Sequence, residues 1–372
     1  MDDIDNKLDD IDNKFERQAL PEERPVTIAD LAVRAGVSPM TVSKALRDTG
    51  RLSAGTRARI KQLADELGYV PNSLAGALSS RTSKLVAVLI PSISDHVYAE
   101  VLGGIHGVLR PEGLQTFIGE TFFDPGLEES LLRTMLSLKP AGLLVSGGIL
   151  RTEKAQALLE RRQVPAVQMW DQRNAGLDAA VGVDHAGAGR MAARRLLDAG
   201  LRRLAYVGSQ LEADLCARER FKGFAAEVSA AGARLTVLDG GTLPRQVESG
   251  TLLVQQLLGS VPDVEGIHFL NDAMAAGGLR YLFETGIDVP GQVSVIGFNG
   301  TAHAFSIRTR LTTLDLPRLQ LGRQAACCLL QLCRKNSPVP GQEIGLRIIE
   351  GNTTRPLLPD WGRERAVAES AS

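Results

Sequence analysis

The chain reads as two folds in series: a short all-α module near the N-terminus, then a long α/β body of parallel sheets covered by helices. Three observations predict this. Residues 25 to 84 hold nine Lys and Arg against four Asp and Glu, in a 372-residue chain whose 42 bases and 43 acids otherwise cancel to a net charge of −1. The same segment shows helix-start and helix-stop residues at short intervals. From Leu85 onward, short β-rich runs alternate with helical stretches, as in parallel sheets packed between helices.

At 44% hydrophobic the chain can bury a sizeable core, and its length suits two or three domains. Apolar runs such as Leu85 to Ile90 fall well short of the roughly 20 residues that span a bilayer, and the acidic N-terminus lacks the basic start of a signal peptide. A soluble, cytoplasmic protein is expected. Cys216, Cys327, Cys328 and Cys333 show no CxxC spacing and read as reduced core thiols. His96, His106, His185, His268 and His303 form no metal-ligand spacing, so neither a metal nor a cofactor is expected.

Residues 1 to 24 form an acidic arm with nine acids and four bases. It contains a duplicated heptad in which Ile4, Leu8, Ile11 and Phe15 follow a coiled-coil spacing. Two heptads are marginal as a helix, so disorder is expected, and Pro21 and Pro25 separate the arm from the basic module.

That module, residues 25 to 70, predicts three helices. Thr27 and Asp30 make a capping box, and Ile28, Leu31 and Ala32 recur on one buried face. Gly36 ends this helix, because a residue tolerant of positive φ does so at little cost. Ser38 caps the second helix with Pro39 at its first position, and Val42, Ala45 and Leu46 form its apolar side. The opposite side shows Met40, Thr41, Ser43, Lys44 and Arg47. A short helix with small hydroxyls and bases exposed, set at an angle by a glycine turn, suits the DNA major groove. An ordinary helical hairpin would not need that basic face. Helix three starts at Ser53, buries Ile60, Leu63, Ala64 and Leu67, and ends at Gly68. Residues 71 to 84 then read as a hinge, helical in composition but weakened by Gly76.

Taken together, Thr27 to Leu46, the Leu67-Gly-Tyr-Val-Pro-Asn segment and Ala75-x-x-Leu78 resemble the headpiece of the lactose/galactose repressor family, and within it the gluconate-utilisation repressors. The resemblance spans about residues 25 to 356. It implies a helix-turn-helix transcriptional repressor that binds double-stranded operator DNA as a homodimer. Its second domain would be two-lobed and periplasmic-binding-protein-like, with an effector cleft. By that similarity Pro39, Met40 and Lys44 read bases, while Thr27, Ser38, Thr41, Ser43, Ser53, Tyr69 and Asn72 hold phosphates. Leu78 matches a leucine wedged into the minor groove. Two departures stand out: Lys44 replaces a common Arg and lacks its bidentate fork, and Gly76 stands where some relatives carry a basic residue.

In the body, residues 85 to 356, strands are expected at Leu85 to Ile90, Leu114 to Gly119, Leu143 to Ser146, Ala166 to Trp170, Leu204 to Gly208, Gly266 to Leu270 and Val293 to Gly297. Ligands in such sheets sit beyond the carboxyl ends of the strands, so the residues just after each run are the candidates. Tyr98 matches a position that stacks on the effector, although a core tyrosine reads equally well. Asp171 could accept sugar hydroxyls or be simply solvated. Arg220 matches the position that clamps the ligand, and a guanidinium fork suits a carboxylate. Asn271, Asp272 and Asn299 complete a polar rim. Relatives that bind neutral sugars or purines often carry Asp at 299 and an aromatic at 245; Asn299 and Arg245 therefore point to an anion, a sugar acid such as gluconate.

Three alternatives stay open on the sequence: a co-repressor, a neutral sugar, or a nucleotide-cofactor enzyme built on the GxGxxA match at Gly187 to Ala192. Small residues there equally suit close helix packing. The tail, residues 357 to 372, shows no leucine heptads and is expected to be disordered.

Overall fold

The computed structural model describes residues 26–70, 83–93, 96–173, 176–301, 309–335 and 339–358. The expected acidic arm, Asn72, Leu78 and the hinge through residue 82, and the tail beyond residue 358 lie outside the described residues. The chain divides into two compact units, Met1–Ser79 and Ser80–Ser372.

The first unit holds α1 (Ile28–Ala35), α2 (Pro39–Leu46) and α3 (Ala54–Glu66). Each begins as its sequence dictates. Thr27 and Asp30 exchange both capping-box hydrogen bonds, and Ser38 and Ser53 accept from the backbone N–H groups of Thr41 and Thr56. Gly36, at φ 64°, ends α1 in the left-handed conformation. Leu31, Ala32, Ala35, Val42, Ala45, Ile60 and Ala64 form the core, with Leu63, Leu67 and Tyr69 packed partly buried against it.

The body is built on two six-stranded sheets. The first has the order β11-β5-β4-β3-β1-β2, all pairs parallel: β1 is Leu85–Ile90, β2 Gln115–Glu120, β3 Gly142–Ser146, β4 Ala166–Asp171, β5 Ala179–Val183 and β11 Gln342–Glu343. The second has the order β12-β10-β9-β8-β6-β7: β6 is Arg203–Gly208, β7 Arg234–Asp239, β8 Gly266–Phe269, β9 Ser294–Asn299, β10 Thr312–Asp315 and β12 Arg347–Ile349. In it β12 runs antiparallel to β10. Central strands are buried on both faces, which is why they read as unbroken apolar runs. Each sheet is the centre of one lobe, and the chain crosses between lobes three times: after β5, after β10 and after β11.

Helix pairs on these lobes pack at glycine contacts. Helices α7 (His185–Leu197) and α8 (Leu215–Ala230) meet where a Cβ on Gly189 would overlap the Arg220 carbonyl, and one on Gly223 would overlap that of Ala186. The same reciprocal arrangement joins α4 (His96–Leu109) to α11 (Arg318–Lys335) through Gly104 and Gly322. Gly250 and Gly277 do so for α9 (Val247–Ser260) and α10 (Asp272–Glu284). The GxGxxA match is therefore a packing stripe: Gly189 seats α8, and Gly187 donates its N–H to the helix cap Asp184 at 2.8 Å. Gly189→Ala is expected to lower the melting temperature of the body by about 5 °C, because the added methyl meets backbone rather than a movable side chain. Gly259→Ala, where a Cβ meets nothing within 4 Å, should leave it unchanged or slightly raised. Calorimetric melting of the two variants checks this.

The four cysteines are free, and the expectation of core thiols needs correction for two of them. Cys216 and Cys328 are buried, whereas Cys327 and Cys333 lie on the solvent side of the amphipathic α11. Among the described residues no helix is long and apolar enough to cross a membrane, and no cluster of metal-ligating side chains occurs.

Candidate functional site

The headpiece presents α2 as an exposed face. Ser38, Pro39, Met40, Lys44 and Arg47 are exposed, Met40 to 67%, and Thr41 and Ser43 are half-buried. One turn of helix separates Met40 from Lys44, so they share that face. Arg47 folds back, donating from Nε to the Ser43 carbonyl at 3.2 Å and from Nη2 to the Ser43 hydroxyl at 2.5 Å. The turn after α2 is held by Asp48, at φ 56°, which receives Lys61 at 2.8 Å and Arg57 at 3.3 Å. Thr27 donates its hydroxyl to Asp30 at 2.6 Å, Ser53 pairs with the Thr56 hydroxyl at 2.7 Å, and Tyr69 is half-buried against the helical core.

In the body, a partly open cavity lies at the carboxyl ends of the strands of both sheets. Val97, Tyr98, Phe123 and Trp170 line it from one lobe; Asp214, Arg220, Arg245, Leu270, Asn271, Phe298 and Asn299 line it from the other. Five of the seven expected effector residues are thus brought together: Tyr98, Arg220, Arg245, Asn271 and Asn299. The Tyr98 and Trp170 rings stack with centroids 5.3 Å apart.

Arg220 is 3% exposed, and its Cζ stands over the Phe298 ring, 3.7 Å from the centroid. Its Nη1 donates to Nδ1 of His185 at 3.2 Å and its Nη2 to the Leu270 carbonyl at 3.0 Å, while its buried Nε–H has no partner. Nε2 of His185 lies 3.1 Å from the Trp170 carbonyl, which can only accept, so Nε2 carries the ring proton and Nδ1 accepts from Arg220. Burial and the Arg220 charge hold the pKa of this imidazole down at about 4, so the ring is neutral at pH 7.

Arg245 stands over Phe123 at 4.5 Å and donates to the Asp214 carboxylate at 2.6 Å. Burial acts to raise the Asp214 pKa, but the charges of Arg245 and Arg220 and the N–H of Ala217 bring it below the usual carboxylate value. Arg245 is therefore paired directly with Asp214, whereas Arg220 has no carboxylate in contact and feels Asp214 only at a distance. Asn271 caps α10 through Met274 N and donates to the Arg245 carbonyl at 3.1 Å. Asn299 ends β9 at φ 106°, and its buried Oδ1 has no partner. Such a backbone outlier beside an unspent acceptor is characteristic of ligand sites.

Asp171 and Asp272 do not line the cavity. Both Asp171 oxygens are taken by Arg173, at 2.9 and 3.1 Å, and Arg173 reaches across to Glu219 of the other lobe at 3.3 Å. Asp272 is fully buried and accepts from Thr313 Oγ1 and Thr301 N, each at 2.6 Å, tying down the turn that carries Asn299. Burial outweighs these hydrogen bonds and raises its pKa to about 6. A carboxyl that holds its proton more tightly folded than unfolded makes stability fall as pH rises from about 4 to 6, levelling off above. Asp272→Asn should remove that slope, on the order of 3 kcal/mol across the window; denaturant melts at pH 4 and pH 7 in both proteins would show it.

Sequence reasoning missed Val97, Phe123, Trp170, Asp214, Leu270, Phe298 and His185. Asp214 carried a usable signal, a helix-capping residue just after β6; Trp170, at φ 82° at the end of β4, carried one in its place at a strand terminus.

Comparison with known proteins is consistent along the chain. Residues 27–72 match the family described as bacterial regulatory proteins, lacI family, and residues 193–354 match the periplasmic binding protein-like domain. The HTH-type transcriptional regulator GntR of Pseudomonas aeruginosa is 40% identical over 308 residues, 82% of this chain and 89% of that protein. The HTH-type transcriptional regulator IdnR of Escherichia coli is 28% identical, over 88% and 98% of the two chains. A crystal structure of a LacI-family transcriptional regulator from Silicibacter pomeroyi superimposes with a TM-score of 0.84 at 38% identity, covering 89% of this chain and all of that one. The lac repressor dimer bound to operator shares the fold, with a TM-score of 0.74 at 23% identity over 90% and 100% of the chains. These relatives are regulators rather than enzymes, and the chain belongs to the lacI family of bacterial regulatory proteins as a DNA-binding transcriptional repressor.

Proposed function

We propose that this repressor is a cytoplasmic homodimer released from its operator by a sugar acid, gluconate or a close relative, held in the interlobe cavity. The observation that carries the effector class is Arg220, a buried cation lining the cavity with an unspent Nε–H. A buried guanidinium favours a carboxylate, whose two oxygens match its paired donors. The polyol part of such a ligand would meet Asn271, Asn299 and the Tyr98–Trp170 wall.

The division proposed is a headpiece at 25–70, a hinge at 71–84 and an effector and dimerisation body at 85–356, flanked by the arm and the tail. On DNA, Pro39, Met40 and Lys44 would face the bases and Thr27, Ser38, Thr41, Ser43, Ser53, Tyr69 and Asn72 the phosphates, with Arg47 on the same DNA-facing side and Leu78 as a minor-groove wedge. A two-fold dimer imposes a near-palindromic operator.

A neutral sugar is the second reading, favoured by the Asp214–Arg245 pair and the aromatic wall. A solved relative at 25% identity and TM-score 0.64 is a CelR–cellobiose complex. Calorimetric titration of the full chain with gluconate and with glucose separates the two. Tight gluconate binding with weak glucose binding supports the sugar acid, and the reverse order would replace it.

A further inference from the structure

We infer that His185 is a positioning residue that holds Arg220 in place for the effector and ties that arginine to Trp170 on the opposite lobe. The inference rests on the proposal that the cavity takes an anion at Arg220.

A guanidinium can grip a carboxylate end-on through its two terminal nitrogens or side-on through Nε and one of them. Here the terminal nitrogens are anchored, Nη1 on His185 at 3.2 Å and Nη2 on the Leu270 carbonyl at 3.0 Å. The Phe298 ring covers one face at 3.7 Å. Each terminal nitrogen keeps a second N–H, and Nε has no partner, so Arg220 is held in place while donors remain for a carboxylate. Only a group that accepts on one side and donates on the other can take the place of His185 between Arg220 and the Trp170 carbonyl. The neutral ring does both, accepting at Nδ1 and donating from Nε2 at 3.1 Å. Trp170 is itself stacked on Tyr98. The cation of one lobe and the aromatic wall of the other are thus joined through a single imidazole, 3% exposed at the start of α7. A ligand that pulls on Arg220 must also displace the ring or carry Trp170 with it. A histidine that merely fills space would have no such consequence.

Two variants and one spectrum test this on the full-length protein. His185→Phe keeps the ring but neither hydrogen bond, and is expected to weaken gluconate binding by about tenfold or more. His185→Gln offers an amide oxygen to Arg220 and an N–H to Trp170, and should recover gluconate affinity to within about threefold of wild type. Unchanged affinity in the Phe variant, or a Gln variant as weak as Phe, overturns the role. A long-range 1H–15N spectrum of the effector-free protein reads the ring without any ligand. A neutral Nε2–H tautomer, with an Nδ1 resonance that moves in Arg220→Met, is expected; an Nδ1–H or doubly protonated ring at pH 7 overturns the proposal. Should wild type bind no gluconate, the effector reading falls while the spectrum still decides the role of His185.

Discussion

Arg220→Met is expected to weaken gluconate binding by about 100-fold, roughly 3 kcal/mol, while leaving operator affinity without effector within about twofold. The side chain is buried, so its charge acts where solvent screening is weak. The nearby Arg245 is no substitute, because Asp214 holds it at 2.6 Å. Methionine approximates the length of the arginine stem and leaves two acceptors behind, Nδ1 of His185 and the Leu270 carbonyl, without their donor. Some loss of thermal stability should accompany the loss of binding, and calorimetric titration paired with a melt distinguishes the two. A variant that stays folded and binds gluconate within threefold of wild type would remove Arg220 from the site.

The second large effect is expected on the exposed face of α2. Met40→Ala with Lys44→Ala should lower affinity for the cognate operator by about 100-fold, since each good base contact contributes on the order of 1–3 kcal/mol of discrimination. Affinity for scrambled DNA should fall by only a few-fold, because a single positive charge is lost from the basic module. Neither side chain is part of the helical core, so folding is not at stake: Met40 and Lys44 are exposed while Val42 and Ala45 are buried. Lys44→Arg should retain binding and shift preference toward guanine at the contacted position, because only the guanidinium supplies a bidentate fork. Anisotropy titrations on both DNAs at fixed salt measure this, and equal losses on the two would count against base reading by this face.

The helical headpiece was legible almost residue by residue, because its boundaries are written in local chemistry. Thr27, Ser38 and Ser53 cap the three helices, and Gly36 and Gly68 follow α1 and α3 at positive φ. Most of the buried strands were legible as apolar runs. Strand β7 was not, because it is an edge strand with much of its surface exposed, as in Val237. Nor were β10, β11 and β12, short strands that complete their sheets only after the chain has crossed between lobes.

At the cavity, strand-end position pointed to Asn271 and Asn299 and the family resemblance to Arg220 and Arg245, and all four line it. It could not tell that Asp171 is spent on Arg173 or that Asp272 faces Thr301 and Thr313, since both pairings depend on side-chain direction rather than spacing. Phe123 and Phe298 carry no signal of a shared site in the sequence, and only the two lobes bring them to opposite walls of one cavity. His185 was obscured because it stands beside a glycine stripe whose spacing suggests a different chemistry.

Coupling between the cavity and the operator is what makes this chain a sensor rather than two unconnected binding modules, and thermodynamic linkage requires it to be reciprocal. Gluconate affinity should therefore be measured by calorimetry on the full-length protein, free and saturated with operator, alongside operator affinity with and without gluconate. The expected result is that operator weakens gluconate binding by the same factor by which gluconate weakens operator binding, in the range of about 5- to 150-fold. Equal gluconate affinities in the two states, or a gluconate that tightens operator binding, would contradict release by a sugar acid.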